Sequence, residues 1–297
     1  MKRSNQNPEA HASSLGHDLA STDWIDIHFL AMQPEYEQML SWVGIQSNWQ
    51  VLDAGCGTGS YLPLMTELVG NGGKVCAIDL APENVGAVEE RASQGRWSAP
   101  VDARVGNILD LPYADQSFDA VWCANTSQYL SDTELLTMLQ EFRRIVRPGG
   151  LIAIKEYDIT AQQVQPTTPM LFLHLWEALC RMGDQEACYL FRTLNLPHSL
   201  RKVGLIDLRQ KPTLIVRSQP LRPVEKKFVG ALLEYYAGQA EQAALPAEEL
   251  DLWRKLRDLD AGDHIIHHPD FQYRCIQTVF VGRVPQEIPF EKIGADL

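Results

Sequence analysis

The sequence predicts an α/β fold: a seven-stranded, mostly parallel sheet with helices on both faces and a helical cap. Three observations carry this. Short β-rich runs alternate with helical patterns between residues 51 and 157, and strands that short, separated by helices, lie parallel with crossover connections. The first run enters VLDAGCGTGS, residues 51–60, a loop with glycines at 55, 57 and 59. Beyond residue 157 the rhythm breaks into helical stretches rich in Leu, Phe, Trp and Met, which suits a cap over the carboxyl edge of the sheet.

The elements follow in order. Residues 1–21 form a polar leader with basic residues but no apolar core, so it does not read as a secretory signal. Residues 22–46 are an amphipathic helical segment. Strand one is VLDA, and Tyr61, Leu64, Met65 and Leu68 then recur at helical spacing. Strand two is 74–79. Pro82 suits a first helical turn, and Ala81, Val85, Val88 and Ala92 form an apolar stripe. Strand three spans about 102–106 and strand four 118–124. Ser131 with Glu134 is a capping box. The helix it opens buries Leu135, Leu139, Phe142 and Val146 and stops at Arg147-Pro148-Gly149-Gly150. LIAIKEY is strand five; the last two strands are 211–217 and 272–284. Residues 22–297 thus read as one domain. Its core sheet covers about 48–158 with 205–218 and 272–284, and its cap comes from 22–46, 166–193 and 224–258. The first cap segment, tied to the sheet only through strand one, is the one expected to move.

Composition narrows the function. With 45% hydrophobic and 22% charged residues the chain is an ordinary globule. No apolar run approaches the roughly 18 residues of a membrane helix, so no membrane partner is expected. A net charge of -12 disfavours nucleic acid. The six cysteines form no C-x-x-C pair, which fits reduced thiols in the cytoplasm. His264, His267 and His268 cluster, but a metal site wants further ligands; a loop or cap role is the expectation, and no metal.

The glycine loop permits close approach of a ligand to the backbone, and a loop feeding a helix offers free N–H groups to an anion. A dinucleotide pyrophosphate and the carboxylate of an amino-acid-like cofactor both suit it. The spacing is G-x-G-x-G rather than G-x-G-x-x-G. Asp53 at the loop's entry would repel a pyrophosphate yet accept from an ammonium. Asp79 ends strand two, where its carboxylate can take both hydroxyls of a ribose.

Four ordered stretches, VLDAGCGTG, VCAIDL, VGNILDLPYADQSFDAVWCA and FRRIVRPGGLIAIKEYD, resemble the class I S-adenosylmethionine (SAM)-dependent methyltransferases over about residues 48–157. Within that superfamily the chain is most similar to the ubiquinone/menaquinone-biosynthesis type, the methyltransferase type 11 group. The resemblance implies a Rossmann-like fold and SAM as cofactor. It implies that Gly55, Cys56 and Gly57 lie against the methionine part, with Asp53 on its ammonium. Asp79 would bind the ribose, and Leu80 and Ile108 would pack on the adenine. Asn107 stands where the family usually has an acid bonding the adenine amino group; its side-chain oxygen can accept the same bond. Asn125 would face the methionine end, and His28 sits roughly where the N-terminal helix gives SAM a polar contact.

Methyl transfer from a sulfonium needs a base only if the acceptor carries a proton. Candidates are His174, Tyr157, Glu156, Asp158 and the 264–268 histidines, His267 among them; the sequence does not choose. After strand four the chain has CANTSQYL, not the N/D-P-P-Y/F expected for nucleobase-amine transfer. A small, largely hydrophobic metabolite, natural-product or quinone-like, is the expected acceptor at O, N or C. Phe172, Trp176, Tyr189, Tyr235 and Tyr236 read as core, some reaching that acceptor. The chain is expected to be a monomer or homodimer. Two other readings stand: a SAM-binding protein with a non-methylating or scaffold role, and a nicotinamide-dependent oxidoreductase.

Overall fold

A computed structural model describes residues 21–286 apart from Arg96; the polar leader lies outside these residues except for Ser21, whose side chain caps the first helix by accepting from Trp24 N. Seven strands form one sheet in the order β3-β2-β1-β4-β5-β7-β6. They are β1 (Gln50–Ala54), β2 (Lys74–Asp79), β3 (Val101–Val105), β4 (Phe118–Ala124), β5 (Val146–Gln165), β6 (Ile206–Ser218) and β7 (Gln272–Arg283). The pairs among β1 to β5 are parallel, and β7 runs antiparallel to both of its neighbours. The sheet is therefore mostly parallel, as the sequence predicts.

The helices are α1 (Thr22–Val43), α2 (Leu62–Val69), α3 (Pro82–Ser93), α4 (Asp132–Ile145), α5 (Leu171–Arg181), α6 (Gln185–Leu190), α7 (Leu196–Lys202), α8 (Pro223–Ala240) and α9 (Ala247–Arg257). Side-chain alternation along the strands feeds two cores. Val51, Val75 and Ala77 face a core shared with α1, α2, α5, α8 and α9. Leu52, Cys76 and Ile78 face a second one filled by Leu135, Leu139 and Phe142 of α4 and Leu196 and Leu200 of α7. The expected capping box at Ser131 and Glu134 is formed in both directions.

Several boundaries differ from the sequence expectation. The Arg147–Gly150 stretch is not a free turn, because pairing with β4 already begins at Val146 and Gly149 N bonds Val284 O. Strand five runs on to Gln165, paired with β7. The 166–193 stretch breaks at Gly183, whose φ of +88° ends α5's turn, and Asp184 then caps α6 by accepting from Ala187 N. The 224–258 stretch is two helices, α8 and α9, parted at residues 241–246.

The largest difference concerns α1. The segment expected to move is wedged into the core: Ala31, Met32, Met39, Leu40 and Val43 are wholly buried. Arg217 of β6 grips Glu35 with two bonds of 2.9 and 2.6 Å and donates to Ala31 O. Asp26 bonds Thr58 in the glycine loop at 2.6 Å and Arg91 of α3 at 2.7 Å. Such anchoring ties α1 to β6, to α3 and to the glycine loop.

Candidate functional site

A cavity of about 620 Å³ opens at the carboxyl ends of β1, β2 and β4, walled on its far side by α1, α5, α6 and α8. Open parallel sheets place their ligands at this edge, where neighbouring crossovers diverge.

Its sheet side is built by short-range geometry. Gly55 and Cys56 donate their N–H groups to Ile78 O, and Gly57 N–H donates to Asp79 Oδ2 at 2.8 Å. The loop is thereby latched onto the end of β2. Gly55 has φ +72°, and a Cβ there would stand 2.6 Å from Thr126 Oγ1; only glycine fits both conditions. Asp79 Oδ1 accepts from Ala81 N and Asn84 Nδ2, each at 3.0 Å. Three donors thus fix a carboxylate at the cavity wall.

Asp53 is in a different state. It is buried at the same wall, and its Oδ2 has no hydrogen-bond partner among the described residues. Burial, with the Asp79 charge second, pushes its carboxyl up to about 8. A buried carboxyl without a donor calls for one. An ammonium entering the cavity would supply it, so the residues present fit an amino-acid-like cofactor. A pyrophosphate would instead meet two acids.

Leu80, Asn107, Ile108 and Cys56 also line the cavity. Asn107 Oδ1 already accepts from Leu109 N at 2.9 Å, which leaves the oxygen one lone pair for a ligand. Burial pushes the Cys56 thiol well up, so it packs and does not react. Asn125 closes β4 with φ +55°, a conformation a non-glycine residue holds only under constraint. Its Oδ1 accepts from Lys155 Nζ at 2.8 Å. His28 faces the cavity with its ring stacked against Trp24 and Phe228 and its Nε2 2.8 Å from Tyr36 Oη. Burial, then the Lys155 charge, pushes this imidazole down to about 3, which keeps it neutral.

The candidate bases do not converge. Tyr157 lines the cavity, 3.4 Å from Tyr273 Oη, and burial raises its phenol well above the usual range. Glu156 does not reach the cavity; it accepts from Thr126 N and Ser127 N and holds their turn. Burial raises Glu156 and lowers Lys155, and each charge partly offsets the other's shift. His174 is a correction: it bonds Glu249 at 2.7 Å, tying α5 to α9 away from the cavity. His267 is another: it lies in the turn Ile265–His267, outside the cavity lining. Its neighbour His264 is spent on backbone, with Nδ1 accepting from Ile266 N and Nε2 against Leu256 O. Asp158 is held by Thr160. Of the cap aromatics, Trp176, Tyr235 and Tyr236 line the cavity while Phe172 and Tyr189 do not.

Sequence reasoning missed Trp24, Tyr36, Phe228 and Tyr273, which line the cavity, and Lys155 beneath it. Lys155 left a signal: a lysine inside the apolar strand LIAIKEY. An ionisable residue in a strand buried on both faces is a functional candidate on physical grounds. Trp24 and His28, one helical turn apart, were a weaker one.

Residues 51–150 match the profile of a methyltransferase domain. The demethylmenaquinone methyltransferase of Geobacillus kaustophilus is 31% identical over 188 residues, covering 59% of this chain and 79% of that protein. The chain belongs to the SAM-dependent methyltransferase family. A protein of the same name from Bacillus velezensis is 30% identical over 114 residues, and there the chain spans 48% of the relative's length, about half. Phosphoethanolamine N-methyltransferase 2 of Haemonchus contortus, solved in complex with SAM, shares the fold. Its TM-score is 0.53 at 18% identity, over 90% of this methyltransferase-family chain and 58% of that one. The Rossmann-like sheet expected from the motifs is thus the family's own.

Proposed function

We propose that the protein transfers a methyl group from SAM to a small, largely apolar metabolite, natural-product or quinone-like. One observation carries the reading: Asp53, whose buried Oδ2 has no hydrogen-bond partner among the described residues, lines the same cavity as the aromatic wall of the cap. Asp53 would take the ammonium of SAM, the glycine loop would lie against its methionine part, and Asp79 would take the ribose. Leu80, Asn107 and Ile108 would border the adenine. When bound, SAM supplies a methyl group already activated on a sulfonium. What the chain adds is alignment and exclusion of water, and orientation alone is worth about 7–11 kcal/mol in favourable cases. Trp24, Trp176, Phe228 and Tyr236 give a planar apolar acceptor its contact surface. The names of the relatives support a quinone-like acceptor.

A cytoplasmic site of action, as a monomer or homodimer in secondary metabolism, belongs to the same proposal. The free cysteines support a reducing compartment. Among the described residues no helix is long and apolar enough to cross a membrane.

Calorimetry tests the reading. SAM and S-adenosylhomocysteine should each bind at one site per chain, and incubation with SAM and cell extract should release S-adenosylhomocysteine. Tight NADH binding without SAM binding would replace it with the oxidoreductase. SAM binding with no S-adenosylhomocysteine formed would leave the non-methylating role.

A further inference from the structure

Lys155 is wholly buried, on the face of β5 that it shares with Ala153 and Tyr157. Its Nζ donates to Asn125 Oδ1 at 2.8 Å and stands 3.8 Å from the centre of the Tyr36 ring. Among the described residues no carboxylate is within ion-pair distance of it. Glu156, the next residue, faces the other side of the strand, toward Thr126 and Ser127. The remaining titratable groups around Lys155 are uncharged: burial drives His28 down to about 3, Cys275 up to about 11 and Tyr36 well up. Burial pushes Lys155 itself down to about 7, with the Glu156 charge only partly opposing the shift, because an ammonium sealed from water without an ion-pair partner is costly. Two side chains part it from the cavity, Tyr36 and Asn125, and both line that cavity.

We propose that the acceptor is a hydroxyl acid of the phenol or enol class, whose oxygen is bound and ionised against Tyr36 and Asn125 with Lys155 supplying the positive charge beneath them. The inference rests on the methyltransferase reading and deepens it. The acceptor's O–H bond breaks, oxygen keeps the electron pair, and the proton leaves to solvent. An anion there offsets Lys155 and at the same time lies beside a cationic methyl donor. A neutral amine would gain nothing from the arrangement. Lys155 touches no acceptor; it is a positioning residue that acts through the ring and amide above it.

The test uses the cofactor-free protein and 4-nitrophenol, whose ionisation is read by absorbance. Wild type should bind the phenolate at least about tenfold tighter than the phenol, so that the bound probe titrates about one pH unit or more below the free one. Lys155→Met keeps the length and removes the charge. It should fold with an unchanged or raised Tm and lose the preference. Tyr36→Phe, which keeps the ring over Lys155, should fall between. 4-Nitroaniline should bind wild type and Lys155→Met alike. Equal affinity for the two forms of the probe in wild type, an undiminished preference in Lys155→Met, or no probe binding at all would each overturn the inference. SAM calorimetry on the same samples separates the two levels. Lost SAM binding in wild type counts against the methyltransferase reading, and intact SAM binding without a phenolate preference counts against this inference alone.

Discussion

The loop from Asp53 to Gly59 and the strand end at Asp79 hold one side of the cavity with backbone N–H groups and two short acids, whereas the other side is walled by Trp24, Trp176, Phe228 and Tyr236 from α1, α5 and α8. The first side needs φ values, N–H directions and a latch between adjacent strands, all set by contiguous residues. The second needs only apolar area and shape, which many residues can supply from many places. A site made by backbone leaves a spaced motif in the sequence; a site made by side-chain surface leaves composition. The contrast implies that the two sides are separable.

The largest effect is expected where they share an element. Helix α1 carries cavity residues of the cap side, yet Asp26 ties it to the glycine loop and seven of its side chains are buried. At about 1.5–3 kcal/mol for each large apolar side chain buried, its loss outweighs the roughly 5–15 kcal/mol that holds a typical domain folded. Deleting residues 1–46 should therefore abolish cooperative thermal unfolding together with SAM binding. A truncated chain that melts cooperatively would show the core and the cap to be independent after all.

Asp79→Ala comes next. If the carboxylate holds the ribose, SAM should weaken by roughly 1.5–3 kcal/mol, about 10- to 150-fold. The position at a strand end suggests an indifferent fold, but the structure says otherwise. The substitution orphans Gly57 N–H, Ala81 N–H and Asn84 Nδ2, so Tm should fall as well. Asp79→Asn, which keeps an acceptor oxygen, should recover part of the Tm and little of the affinity. Full affinity in both variants would assign the ribose to another acid.

Much of the sheet side is legible in the sequence. Gly55, Gly57, Asp53 and Asp79 stand where spacing put them, because a strand–loop–helix turn has few solutions. The cap was legible only as helices. Nothing local marks Tyr36, Phe228 or Tyr273 as cavity residues, since aromatic side chains serve core and pocket alike. His174 misled for the same reason: a polar residue on an apolar stripe suits a pocket wall or a tie between helices equally well, and Glu249 decides for the tie only in three dimensions.

Asp53→Asn should give a smaller effect with an informative sign. In the free protein the carboxyl is raised to about 8, whereas the cofactor's ammonium needs it ionised. SAM binding should release a proton, and affinity should fall as pH drops below about 8, by up to about tenfold per unit. Stability runs the opposite way. A carboxyl whose folded pKa lies above its unfolded value stabilises fully below the unfolded pKa and loses that contribution as pH rises toward the folded one. Cofactor-free wild type should thus lose Tm between pH 4 and about 8. Asp53→Asn should flatten that loss while binding SAM more weakly and with no proton release. Calorimetry in buffers of different ionisation enthalpy reads the proton directly. Identical release by the variant would mean that a different group titrates.

The smallest effect is expected at the residue that most resembled a catalytic base. His174 is 39% exposed in its side chain and pairs with Glu249 across α5 and α9. A pair that open contributes about 0–1 kcal/mol, and His174→Ala leaves Glu249 with one further unpartnered oxygen beside the buried Oε2. For a chain of this size about 1 kcal/mol is roughly 2–4 °C in Tm, which sets the upper bound. The histidine stands outside the cavity lining, so SAM affinity and turnover should both stay within about twofold of wild type, the range of a substitution away from any site. A loss of turnover beyond about tenfold at unchanged Tm, a difference of about 1.4 kcal/mol in the barrier, would put His174 against the acceptor. It would also mean that α5 shifts toward the sheet when the cavity fills.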